Sequence, residues 1–115
     1  DIMEFETTDK FDAVMLFEVI EHVPDPKALV EKMMSLANED GVCYISTPNG
    51  TADEPASAKG VESENIANFE FKGHVRVYTE KSMRELLKDY EVTDYMVKQE
   101  GIFSLMHVAF RRKNA

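Results

Sequence analysis

Two unbroken apolar runs, with an amphipathic helix pattern between them, constrain this chain more than any other feature. Residues 13–17 read Ala-Val-Met-Leu-Phe, and residues 42–47 read Val-Cys-Tyr-Ile-Ser-Thr. Runs of this kind suit strands buried on both faces, as in a parallel sheet, because neither side offers polar groups to water. Between them, Asp25 and Pro26 form a helix start: an acidic N-cap, then proline at the first helical position. Leu29, Val30, Met33, Met34, Leu36 and Ala37 recur at spacings of three and four, which makes one apolar helix face. Asn38-Glu39-Asp40-Gly41 stops the helix, with Gly41 free to take a positive φ.

Thr47-Pro48-Asn49-Gly50 ends the second strand with turn chemistry. Residues 48–73 are polar and poor in large apolar side chains, which reads as a long loop or lid, with a short helix over 62–68. Thr79 can cap another helix, in which Met83, Leu86, Leu87 and Tyr90 share a face. Residues 91–97 alternate loosely as a strand, and 104–110 carry the β-branched and aromatic content of another. Strand, helix, strand, long loop, helix, strand, strand is the order of an α/β domain. Its sheet is mainly parallel and closes with an antiparallel hairpin.

Composition narrows the function classes. The 115 residues suffice for one domain, and 43% hydrophobic with 30% charged residues is a globular mixture. Acidic residues outnumber basic ones 22 to 13, for a formal net charge of −9. Such a chain repels phosphate backbones, so a broad nucleic-acid-binding surface is disfavoured. Arg111, Arg112 and Lys113 form the one basic cluster and read as a solubilising tail. A lone cysteine, Cys43, excludes a disulfide framework and fits a reducing cytoplasm. No apolar run approaches the roughly 20 residues that span a bilayer, and no signal peptide opens the chain. The first residue is Asp1 rather than methionine, which suggests a piece excised from a longer protein.

Three segments carry a family resemblance. Phe11-Asp12-Ala13-Val14-Met15-Leu16-Phe17-Glu18-Val19-Ile20-Glu21-His22-Val23-Pro24-Asp25-Pro26 resembles the fourth strand and following loop of class I S-adenosylmethionine-dependent methyltransferases. Gly41 to Asn49 is similar to that fold's fifth strand, and Gly73-His74-Val75-Arg76-Val77-Tyr78-Thr79 to the opening of its last helix. The group most resembled includes ubiquinone-type O-methyltransferases and small-RNA 3′-terminal 2′-O-methyltransferases. The resemblance implies the C-terminal half of a Rossmann-like sheet, strands 4, 5, 7 and 6, with residues 1–115 forming a partial domain. Glycines stand at 41, 50, 60, 73 and 101, so the family's Gly-rich cofactor loop is absent. By the resemblance, Asp1 and Ile2 sit where the family contacts adenine, although a cut end at Asp1 would be disordered. Without the family's first strand, residues 13–17 would be an unpaired edge. We expect dimerisation through it, a partner half-domain upon it, or instability.

Glu18, Glu21 and His22 lie at spacing 0, 3, 4, which on a helical turn puts all three on one face. With His74 they make a set able to hold Mg²⁺ or another divalent cation. The resemblance implies these four as metal ligands; the plainer reading is that Glu21 and His22 tether the loop through hydrogen bonds. Phe17, Glu18 and Val19 end the strand where α/β sheets bind ligands, and by the resemblance they contact S-adenosylmethionine. Phe17 reads equally well as core. His22 and His74 are the candidate bases near neutral pH. The expected activity is O-methylation of a small-molecule acceptor; the rivals are a non-catalytic association module and an RNA 2′-O-methyltransferase fragment.

Overall fold

A computed structural model describes residues 1–49, 77–100 and 103–113. The short helix expected over 62–68, His74 and all but the first two residues of the loop expected over 48–73 lie outside the described residues. Four strands form one sheet in the order β1-β2-β4-β3: β1 Phe11–Phe17, β2 Ala37–Pro48, β3 Tyr90–Glu100 and β4 Phe103–Arg112. β1 and β2 are parallel, while β2–β4 and β3–β4 are antiparallel. This is the 4-5-7-6 order that the family resemblance implies.

Helix α1, Pro26–Leu36, starts as expected: the Asp25 carboxylate accepts from the Ala28 N–H at 3.0 Å, and Pro26 occupies the first turn. Leu29, Val30, Met33, Met34 and Leu36 are all buried. Helix α2, Glu80–Leu86, is opened by a capping box between Thr79 and Ser82. It ends a turn earlier than the apolar spacing suggests, and Tyr90 opens β3 instead, its ring 5.9 Å from that of Phe110. Apolar side chains of α1, α2, β2 and β4 form one core with Met83, Leu87, Cys43, Ile45, Met106, Val108 and Phe110. They share one sheet face, because Cys43, Ile45 and Thr47 alternate with Tyr44 and Ser46 along β2.

Four further expectations change. Gly41 does not take a positive φ; a Cβ there would lie 2.9 Å from the Phe11 carbonyl oxygen, so close approach of β1 demands glycine. β1 is not buried on both faces: Met15 and Phe17 are 54% and 57% exposed, since among the described residues nothing covers that side of the strand. The basic cluster is not a free tail. Arg112 Nη1 donates to the Asn38 carbonyl at 2.7 Å, and Nη2 donates to those of Met34 (2.7 Å) and Ala37 (3.3 Å). It thereby sets a cation against carbonyls at the end of α1 and the start of β2, among them that of Met34, which also accepts the Ala37 N–H. Arg111 pairs with Glu91 at 2.9 Å, and Lys113 donates to the Lys88 carbonyl at 2.9 Å. Asp1 is ordered rather than frayed, accepting from the Met3 N–H at 3.0 Å as the cap of a short 3-10 helix, Ile2–Glu4.

Candidate functional site

Parallel pairing brings the carboxyl ends of β1 and β2 to the same edge of the sheet, the side on which α/β folds bind ligands. There the backbone turns abruptly. Glu18 has φ 58°, and among the described residues it is the one non-glycine with positive φ. The left-handed region costs an ordinary residue on the order of 1–2 kcal/mol, so the surroundings must hold it. β2 does so: the Glu18 N–H donates to the Ser46 carbonyl at 2.9 Å, and the Ser46 hydroxyl donates to Glu18 Oε2 at 3.4 Å.

A single 3-10 turn follows, Ile20–His22, closed by the His22 N–H on the Val19 carbonyl at 2.9 Å. It drives Ile20 into the core and Glu21 beneath it, the latter only 3% exposed. Thr47, fully buried, donates its hydroxyl to Glu21 Oε1 at 2.7 Å. Burial raises the Glu21 pKa above the ordinary carboxylate value; Thr47 and a backbone hydrogen bond pull it down, Glu18 pushes it up, and His22 lowers it. The His22 side chain is 42% exposed, and its Nε2 lies 3.7 Å from Glu21 Oε2. Outside this pair, Phe17 lies edge-on to Tyr44 with ring centroids 5.6 Å apart. The Tyr44 hydroxyl in turn meets His107 Nδ1.

The helical-face arrangement expected for Glu18, Glu21 and His22 does not form. Glu18 precedes the turn in a left-handed conformation. Ser46 and Thr47, which hold the two acids, are consecutive strand residues and point to opposite faces. Among the described residues, no group of three or more His, Cys, Asp or Glu side chains is placed to hold a metal ion. Asp1 and Ile2 lie elsewhere, along a groove beside β1 that Phe17, Glu18 and Val19 do not line. Asn49 bonds through its N–H to the Ser104 carbonyl at 2.9 Å and bridges to Tyr78, so the chain on either side of residues 50–76 meets at this edge. Sequence reasoning passed over Ser46 and Thr47. Two adjacent hydroxyls closing a buried strand were the available signal, because buried hydroxyls need partners.

A family model described as "Methyltransferase domain" matches residues 2–95. The chain belongs to the class I S-adenosylmethionine-dependent methyltransferase family. A ubiquinone biosynthesis O-methyltransferase of Glaesserella parasuis is 47% identical over 45 residues, covering 39% of this chain and 19% of that protein. One from Xanthomonas campestris pv. campestris (strain B100) is 41% identical over 68 residues, covering 59% of this chain and 28% of that protein. The structure of the N-methyltransferase NodS from Bradyrhizobium japonicum WM9 with S-adenosyl-L-homocysteine superposes at TM-score 0.65. It is 18% identical to this methyltransferase chain, and the match covers 99% of this chain and 52% of that one. The likeness to NodS establishes the fold, and the chain spans about half the length of that relative. No described helix is long and apolar enough to cross a membrane.

Proposed function

We infer that this chain forms the acceptor side of an S-adenosylmethionine-dependent O-methyltransferase acting on a small molecule. The observation that carries it is the Glu18–His22 turn: a strained residue at the carboxyl end of β1, then an open imidazole backed by a buried carboxylate. S-adenosylmethionine supplies, when bound, a methyl group on a sulfonium sulfur. With its Nε2 facing Glu21, His22 takes the proton of the acceptor hydroxyl through Nδ1 as the hydroxyl oxygen bonds to the methyl carbon. The cofactor would keep the electron pair of the broken carbon–sulfur bond as a neutral thioether, so the charge this chain has to accommodate is the proton on His22. Glu21, 3.7 Å away, favours the imidazolium so formed, and Thr47 holds Glu21 still. Phe17, more than half exposed, offers an apolar wall beside this path.

Phe17, Glu18 and Val19 suit one wall of a cofactor cleft. The sequence holds no G-x-G, and the family's glycine-rich wall belongs to the N-terminal half of the domain, which these 115 residues do not span. Glu18, Glu21 and His22 do not by themselves form a three-donor metal site, and no step here runs through a metal; His74 remains a candidate base and ligand. Calorimetric titration with S-adenosylhomocysteine tests the reading. A Kd of about 100 µM or tighter, roughly −5.5 kcal/mol, is the expected result. Absence of heat up to millimolar ligand overturns the claim that this chain carries a cofactor wall. His22→Gln should leave that affinity intact while lowering turnover by about 10²–10⁴-fold.

A further inference from the structure

Along the helix-covered face of the sheet, polarity changes at one line. β2 presents Cys43, Ile45 and Thr47 there, and β4 presents Phe110, Val108 and Met106, all buried. Alternation carries each strand one step further, to Asn49 just past β2 and to Ser104 on β4, both half-buried. Apolar packing thus gives way to Thr47, Asn49 and Ser104 at the ligand-binding edge, where Thr47 holds Glu21 and Glu21 faces His22. The Asn49 main chain is fixed there: its N–H donates to the Ser104 carbonyl at 2.9 Å, and it bridges to Tyr78. Its side chain is only partly used. Nδ2 donates to Ser104 Oγ across 3.4 Å; among the described residues, nothing donates to Asn49 Oδ1, and the Ser104 hydroxyl donates to nothing.

We propose that Asn49 and Ser104 determine acceptor specificity by holding a second hydroxyl of the acceptor, apart from the one that is methylated. This contact rests on the O-methyltransferase reading, since it needs the reacting hydroxyl at His22. A hydroxyl fits the unused groups, because it donates to Asn49 Oδ1 and accepts from the Ser104 hydroxyl. A carboxylate does not fit: it brings no proton for Oδ1, and Glu18 and Glu21 already charge this edge negatively. Asn49 stands two residues beyond Thr47, roughly 7 Å along the strand. A benzene ring with oxygens at opposite ends spans such a step, one oxygen at His22 and the other between Asn49 and Ser104. Half-burial makes the contact selective. An acceptor with only an apolar group here strips water from Asn49 Oδ1 and the Ser104 hydroxyl without replacing their hydrogen bonds. Strand pairing holds both residues before the acceptor arrives, so little ordering is left to binding.

Two probes that differ by that hydroxyl read the contact directly: 4-hydroxybenzyl alcohol and 4-methylphenol. Each is titrated into the 115-residue chain and followed by NMR at the His22 ring and the Asn49 side-chain amide. The alcohol should move both signals and bind about tenfold tighter than 4-methylphenol, the worth of one hydrogen-bonded hydroxyl. 4-Methylphenol should still move His22. Asn49→Leu should erase the preference by weakening the alcohol alone. Ser104→Ala should narrow it in the same sense, and it carries the test if Asn49→Leu does not fold. Equal weakening of both probes by either variant makes the pair a structural tie and overturns the proposal. So does a His22 shift with no preference between the probes, an outcome that leaves the methyl-transfer reading standing. Silence at both residues up to about 10 mM probe overturns the proposal and, with it, the placing of an acceptor at His22.

Discussion

The two edges of the sheet are built on opposite principles. β1 presents Phe11, Met15 and Phe17 at 40%, 54% and 57% exposure, with unbroken pairing to β2 from Ala13 onward. β3 also exposes Met96 and Val97, but sets them among Glu91, Asp94, Lys98 and Gln99. Its pairing to β4 is interrupted by a register shift between Val92 and Asp94. Charges and bulges are what an edge needs to remain single, since they oppose the docking of another strand. The contrast teaches that β3 is shaped to face water and β1 to be covered.

Several substitutions would break or sharpen that contrast. The largest effect should come from stripping β3 of its protection with Asp94→Ile and Lys98→Ile, side chains that flank Met96 on one face. Stripped of its guards, β3 should add strands from other copies, visible as scattering that grows with concentration. Arg112→Met removes the three donations that tie β4 to the α1 C-terminus. It should cost about 3 kcal/mol in urea unfolding without altering either edge. Thr47→Val should cost about 2 kcal/mol, because the buried Glu21 loses its donor. Thr79→Ala removes the α2 cap, and about 1 kcal/mol is expected from the same measurement.

The interior offers a test that appears only at alkaline pH. Burial pushes the Cys43 thiol up to about 11 from an ordinary 9.0. The unfolded chain therefore ionises first, and ionisation favours unfolding. Stability should fall by roughly 1.4 kcal/mol per pH unit as pH rises from about 9 to 11. Cys43→Ala should flatten that part of the profile, read as the difference between the two urea midpoints. A profile unchanged by the substitution would place solvent at β2 and remove the contrast between an open edge and a dry interior.

Much of the architecture was legible in local pattern. The Asp25-Pro26 start, the α1 face as far as Leu36 and the Thr79 cap depend on neighbours within a turn and stand as read, whereas Ala37 and the expected stop at Asn38-Glu39-Asp40-Gly41 belong to β2. The strand order followed from family resemblance rather than periodicity. What failed shares a cause. Tyr90 continued the α2 spacing, yet it packs on Phe110, some twenty positions away in sequence. Arg112 looked like a tail because its partners at Met34, Ala37 and Asn38 belong to another element. The site was half visible: Glu18, Glu21 and His22 could be named, but Ser46 and Thr47 hold them only because β1 and β2 pair in register.

Read alone, the amino-acid order settles the elements, their caps and the side chains able to do acid–base work, because those depend on contacts a few residues apart. It also settles the missing glycine-rich loop, which is a matter of residue identity. Packing assigned the rest: which acid is buried, which histidine faces solvent, why Gly41 must lack a Cβ, and which edge is bare. Those outcomes arise from strands brought side by side across the chain, and no local pattern encodes a distance between them.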